Sequence, residues 1–389
     1  MVKFFGFILM LVFAGFSSSA NSNKIVPGAE QPEKYLPIIE NKRVGLVVNH
    51  TSLVGNIHLA DFLLSKNIKV DKIFAPEHGF RGDASAGEEI KDGMDVKTGV
   101  QVLSLYGQTK KPTQAHLKNI DVMIFDIQDV GCRFYTYIST LHLVMEACAE
   151  NSIPLLVLDR PNPNGDYIAG PVLKPGFESF VGMHPIPIVH GCTVGELAQM
   201  INGEKWHKAI GKCDLQVIPV NNYTHSTKYE LPVRPSPNLP NYLSVRLYPS
   251  LCFFEATSVS VGRGTDFPFQ VLGGLNKNLG DFQFIPKNIP GVAVNPLNEG
   301  KVCYGVDLRL LKEAPKFTLK FFIDFYYKYE NESDFLTREN WFNLLAGNDE
   351  LLAQIRIGKS EQEILEALKP ELEKYKTMRK KYLLYPDFE

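Results

Sequence analysis

A chain of 389 residues, with 44% hydrophobic and 22% charged side chains, is long enough for two ordinary domains and has the composition of a soluble globular protein. Its formal net charge of -2 excludes the basic excess that phosphate-backbone binding leaves, so nucleic acid is not expected as a partner. The six cysteines are widely spaced with no CxxC pair, which argues against a structural zinc site and suits buried thiols at least as well as disulfides.

The chain opens MVKFFGFILMLVFAGFSSSANS, with Lys3 before an apolar run and small residues at Ser18, Ser19 and Ala20. Residues 1–20 read as a secretory signal peptide, with the mature chain starting near Asn21. The run is short for a bilayer span, which needs about 20 apolar residues. No later segment could span a membrane. The expectation is an exported protein, periplasmic or extracellular. Sequons at Asn49, Asn222 and Asn331 matter only in a host that glycosylates.

From residue 42 short apolar runs alternate with amphipathic stretches. KRVGLVV, KVDKIF, VQVLS, IDVMIFDI, IPLLVLD and CDLQVIPV read as strands. IHLADFLLSKN, FYTYISTLHLVMEACAEN and TVGELAQMING read as helices. That alternation predicts a doubly wound α/β domain with a Rossmann-like parallel sheet over residues 22–247. The proline-rich stretch 232–250 reads as a connector. Residues 248–389 read as a smaller α+β domain, with strands in TSVSVG, GVAV and CYGVDLRLL followed by helices.

Open α/β sheets bind ligands outside the carboxyl ends of their strands. The polar residues gather there. Asn49 and His50 follow the first strand; Glu77, His78 and Arg81 follow the second. Asp126, Gln128 and Asp129 follow IDVMIF, with Arg133 and Tyr135 behind them. Arg160 and Asn162 follow IPLLVL, and His190 follows IPIV. Each also has a structural use: Asp129 as a helix cap, Asp159 bracing Arg160, His50 and His190 as core histidines, Arg81 in a surface ion pair, Tyr135 and Tyr137 packing on the sheet. Glu77, between a proline and His-Gly, has no helix start to cap.

The motifs for other chemistries are missing. NHTSLVG stands where a dinucleotide fold needs GxGxxG, and no P-loop, GxSxG elbow or HExxH occurs. No cofactor or metal is expected. The remaining inventory of carboxylates, amides, arginines and tyrosines suits carbohydrate. Glycosidic cleavage commonly needs a protonated carboxyl at the leaving oxygen, and a partly apolar cleft keeps such a proton on.

PEHGFRGDASAGE, FDIQDVGCRFYTYISTL, LDRPNPNGD, GPVL, HGCTVGELA and LYPSLCFFEATSVSVGRGT, in this order, resemble the exo-β-N-acetylmuramidase family of NamZ type, long catalogued as a domain of unknown function. The resemblance covers nearly all the mature chain. It implies a Rossmann-like domain and a smaller domain with a cleft between them. It also implies a glycoside hydrolase that removes N-acetylmuramic acid from the non-reducing end of peptidoglycan fragments. By motif, Glu77 becomes the candidate general acid/base, with His78 tuning it or orienting a water.

Asp126, Asp129 and Glu255 are candidates for a second carboxylate, unless the substrate's 2-acetamido group serves as nucleophile. Arg81, Arg133, Arg160 and Arg263 are candidates for the lactyl carboxylate of muramic acid. The partners expected are muramyl saccharides derived from peptidoglycan. Rival readings are a non-catalytic peptidoglycan-binding protein, which needs no titratable acid, and a metal-dependent amidase or esterase, which a chelator would stop.

Overall fold

The computed structural model describes residues 24–77, 79–81 and 92–389. The expected signal peptide and His78 lie outside them. β1 (Arg43–Val48), β2 (Lys69–Ala75), β3 (Gly93–Met94), β4 (Gln101–Ser104), β5 (Val122–Asp126), β6 (Leu155–Leu158) and β7 (Leu215–Ile218) form one seven-stranded sheet in the order β7-β6-β5-β1-β2-β4-β3. Every pairing is parallel except that of the edge strand β3. The chain runs outward from β1 to β4 and then returns to the other side of β1, so the winding reverses between β1 and β5.

Strand side chains alternate between two apolar layers, as the pleat requires. Val44, Leu46 and Val48 join Ile73, Ile124 and Leu156 against α1 (Pro32–Ile39) and α2 (Leu59–Ser65). Val47, Phe74, Met123, Phe125 and Val157 face the other way, into α3 (Tyr137–Glu150) and α4 (Val194–Gly203). The α4 start is fixed by a capping box, in which Thr193 and Glu196 each accept from the other's backbone N–H. The second layer continues through Phe253 and Phe254 into Phe322, Phe335 and Phe342, so both halves of the chain share one core.

Beyond the sheet the chain is α+β. β8 (Val271–Gly274), β9 (Phe282–Phe284) and β10 (Cys303–Asp307) form a small antiparallel sheet in the order β8-β10-β9. Helices at Lys320–Tyr326, Glu339–Ala346, Glu350–Arg356 and Glu361–Arg379 complete this part. The strands expected at TSVSVG and GVAV are corrected. The first makes only isolated bridges, Thr257 to Leu336 and Ser260 to Gly273, and the second lies in a turn closed by Ile289 and Ala293.

The proline-rich connector is also corrected in its second half, which forms α5 (Tyr242–Leu251). Asn241 caps that helix by accepting from Ser244 N–H. Pro249 has no N–H for the Val245 carbonyl. The Asn164 side chain donates there instead, at 3.2 Å, and also to Val130 O at 2.8 Å. A helix with an internal proline is thus stitched to the loop after β6. All six cysteines are buried free thiols.

Candidate functional site

The loops after β1, β5 and β6 knit to one another. Asn49 Oδ1 accepts from Thr51 N–H and Oγ1 at 2.9 and 2.6 Å, and Gln128 N–H donates to Thr51 Oγ1 at 3.0 Å. Ser52 Oγ donates to the Asp126 carbonyl. Asp126 receives Arg160 through two contacts, Nε to Oδ1 at 2.5 Å and Nη2 to Oδ2 at 2.9 Å, both groups buried. The winding reversal between β1 and β5 is where a dinucleotide fold opens its ligand crevice. Here Asp126 and Arg160 pair with each other, and Arg160 also lines a separate cavity of about 530 Å³ with Thr51, Leu53 and Tyr229.

Most of the sequence candidates are spent in such scaffolding and do not line the main cleft. Arg160 is one, and Asp126 with it. Arg133 is fully buried and donates to four backbone carbonyls, those of Pro171, Ile186, Leu345 and Ala346, at 2.7–2.9 Å. It therefore pins the C-terminal helices to the first domain rather than meeting a substrate carboxylate. A side chain at Gly347 would put its Cβ 2.6 Å from Arg133 Nη2, which leaves glycine as the residue that fits there.

Arg81 grips Asp95 at 2.8–2.9 Å and reaches Asp61 at 3.5 Å. His50 Nε2 pairs with Arg234 O at 2.9 Å and so tethers the connector. Gln128 Nε2 donates to the carbonyls of Asp129 and Pro161. Asn162 closes its own turn onto Asn164 N–H and donates to Cys192 O. His190 follows a strand (Pro187–Val189) that pairs antiparallel with Ala169–Val172, outside the main sheet. It is buried and uncharged, its pKa pushed down to about 3 by burial and by the charges of Arg379 and Arg133.

Asp129 Oδ2 accepts from Gly131 N–H at 2.6 Å, while Oδ1 is buried without a hydrogen-bond partner. Burial raises its carboxyl to about 7, from an ordinary 3.8. A raised folded-state pKa means that its stability contribution is whole below pH 3.8 and lost as pH rises through 7. Asp129→Asn removes that loss and keeps the acceptor for Gly131. The stability of wild type relative to the variant is expected to fall between pH 4 and pH 8 by up to about a few kcal/mol, read as a widening gap in melting temperature. A gap that stays constant over that range would mean that Asp129 does not titrate there.

The residues that the structure does bring together are Glu77, Tyr135, Glu255 and Arg263. They line one cleft between the sheet's carboxyl rim and the C-terminal part. Glu77 stands two residues past β2. Its Oε2 accepts from Thr136 Oγ1 at 3.1 Å, where α3 begins, and its carboxylate is also hydrogen-bonded by Tyr106. Burial and the Glu77 charge raise the Tyr106 hydroxyl well above its ordinary value, so it stays a donor. Tyr137, held beside Asn49, places its hydroxyl 3.5 Å from the Glu77 carbonyl.

Two chambers meet at this point. The smaller, about 180 Å³, is walled by aromatic side chains that include Tyr135, Phe180, Tyr248, Phe269 and Trp341. The larger, about 600 Å³, is walled by Val259, Val261, Arg338 and the segment 292–297. Glu77, Tyr106, Glu255 and Arg263 line both. Arg263 Nη2 donates to Glu255 Oε1 at 2.6 Å, so two carboxylates, one of them salt-bridged, stand at the junction.

Sequence reasoning missed Tyr106, Thr136, Arg338 and Trp341. Tyr106 lies just past β4, where the rule used for the other strand ends would have found it. Among the described residues no group of three or more His, Cys, Asp or Glu side chains could hold a metal, and no helix is long and apolar enough to cross a membrane.

Comparison with known proteins covers both halves. Residues 44–243 match the model of the N-terminal domain of exo-beta-N-acetylmuramidase NamZ, and residues 246–385 that of its C-terminal domain. The chain is 40% identical over 372 residues, 90% of its length and 89% of the relative's, to peptidoglycan beta-N-acetylmuramidase NamZ of Bacillus subtilis (strain 168). It also resembles crystal structures of two DUF1343 family proteins from Bacteroides fragilis NCTC 9343. One has 48% identity and a TM-score of 0.87, covering 94% of this chain and 99% of that one. The other has 29% identity and a TM-score of 0.81, covering 93% and 99%. A shared sheet, a shared core and matches along both halves place this chain in the exo-β-N-acetylmuramidase NamZ family.

Proposed function

We propose that this protein is an exo-acting glycoside hydrolase that releases N-acetylmuramic acid from the non-reducing end of peptidoglycan fragments, with Glu77 as its general acid. The observation that carries the reading is the position of Glu77 at the meeting of a small aromatic chamber and a larger open one. A terminal sugar enters the smaller, aromatic chamber, and the rest of the glycan lies in the larger one. The scissile oxygen then sits at the junction.

Protonated Glu77 gives its proton to that oxygen as the glycosidic bond breaks, and Tyr106 and Thr136 fix its orientation. The anomeric carbon can be attacked by a water that Glu255 activates or by the substrate's own 2-acetamido oxygen. Of the arginines considered for the lactyl carboxylate, Arg263 alone lines the cleft. The aromatic walls suit the apolar faces of a sugar ring. Export through residues 1–20 is part of the same proposal, since the polymer lies outside the cytoplasm.

The test is digestion of the disaccharide N-acetylmuramyl-N-acetylglucosamine, followed for free N-acetylmuramic acid, with and without chelator. Release that survives the chelator is the expected outcome. Binding without release would favour a non-catalytic cell-wall protein, and release that the chelator abolishes would favour a metal-dependent hydrolase.

A further inference from the structure

The larger chamber carries a cation that the reaction at the junction does not use. Arg338 lies on its wall, just before the helix Glu339–Ala346. One guanidinium nitrogen donates to the backbone carbonyl of Glu255, and the group lies over the Trp341 ring, 5.9 Å from its centroid. Among the described residues no carboxylate stands in ion-pair range of it, because the Glu255 carboxylate is taken by Arg263. Beside it the lip of the chamber is apolar and open to solvent, with Val294 51% and Leu297 47% exposed. Of the two arginines that line these walls among the described residues, Arg338 is therefore the one with no carboxylate partner among them. A guanidinium held at one nitrogen keeps a free face for a planar anion.

We propose that Arg338 binds the carboxylate of a second acidic sugar on the leaving-group side of the scissile bond, so that the enzyme prefers glycans longer than a disaccharide. The inference rests on the function proposed above. In a chain that alternates N-acetylmuramic acid with N-acetylglucosamine, the sugar next to the scissile bond on the leaving side is neutral. The one after it carries a lactyl carboxylate. The first lies against Glu77 and Glu255, and the second reaches the rim where Arg338 stands. The chamber's size and exposed apolar lip agree with an occupant larger than one sugar.

The experiment compares kcat/KM for the disaccharide with that for the peptide-free tetrasaccharide that has N-acetylmuramic acid at its non-reducing end, scoring release of the first sugar. A charge-assisted contact of this kind favours the tetrasaccharide by about tenfold in wild type, chiefly through KM. Arg338→Gln is expected to collapse that ratio towards one. Val294→Asp, an exposed substitution that sets a negative charge on the same lip, is expected to lower it as well.

Converting the third sugar's carboxylate to its amide should abolish the preference in wild type. Equal kcat/KM for both substrates in wild type would overturn the proposal. So would an Arg338→Gln variant that loses activity on both in the same proportion, because Arg338 would then merely support the Glu255 backbone. Calorimetric binding of the two saccharides to Glu77→Gln protein, with and without Arg338→Gln, reads the same preference without turnover. If neither saccharide is cleaved by wild type, the proposed function fails while this binding comparison still decides the role of Arg338.

Discussion

Glu77→Gln lowers the rate of N-acetylmuramic acid release from the disaccharide by about 10²- to 10⁴-fold, the usual contribution of a positioned general acid. Glutamine keeps the shape and can still accept from Thr136 and Tyr106, so the fold and the ligand chambers persist and the melting temperature changes little. What it removes is the proton for the leaving oxygen. The size of the loss should therefore depend on the leaving group. With a 4-nitrophenyl glycoside of N-acetylmuramic acid the departing phenolate is stable without protonation, and the variant should recover much of the wild-type rate.

That contrast separates the acid from the other role a carboxylate could have at this junction. If Glu77 instead attacked the anomeric carbon or activated water, the good leaving group would not rescue the variant and both substrates would suffer alike. A variant with full activity on the disaccharide would move the acid to Glu255, the other carboxylate shared by the two chambers.

The parts of this molecule that are legible in its sequence are those fixed by period and by strand ends. Apolar runs such as VMIF and LLVL give the parallel sheet, because a strand covered on both faces needs apolar residues on both. Glu77 is legible because its neighbours offer it no structural task. The sequence does not distinguish a polar residue facing a cleft from one bracing the rim. Asp126 and Arg160 both follow strands of the same sheet, and only their mutual distance reveals that they answer each other. Arg133 reads as a binding arginine because nothing local shows that its acceptors are carbonyls near residues 171, 186 and 345.

The far wall of the cleft is the least legible part. Trp341 and Arg338 sit in a stretch with helical spacing, where an aromatic residue ordinarily means core. α5 is hidden by Pro249, since its compensating partner, Asn164, lies in the other half of the fold.

Asp126→Ala destabilises the protein by about 3–5 kcal/mol, because it leaves the Arg160 guanidinium buried without its counter-charge. Asp126 is fully buried and Arg160 only 6% exposed, so solvent cannot take over the lost contact. At this domain size the loss corresponds to a fall of about 4–10 °C in melting temperature. Arg160 also donates to Leu53 O at 3.1 Å, and Ser52 donates to the Asp126 carbonyl, so the loops after β1 and β6 loosen together.

The double variant Asp126→Leu with Arg160→Met removes both charges and puts apolar volume in their place. It is expected to be more stable than Asp126→Ala alone, as paired removal of a buried ion pair commonly is. The same pair of variants distinguishes scaffold from chemistry. If Asp126 holds the rim, the folded fraction of the double variant hydrolyses the disaccharide at a rate close to wild type, because Glu77, Thr136 and Tyr106 are untouched. If Asp126 were the second catalytic carboxylate, the double variant would fold and remain inactive, and the catalytic centre would have to include the site of the winding reversal between β1 and β5.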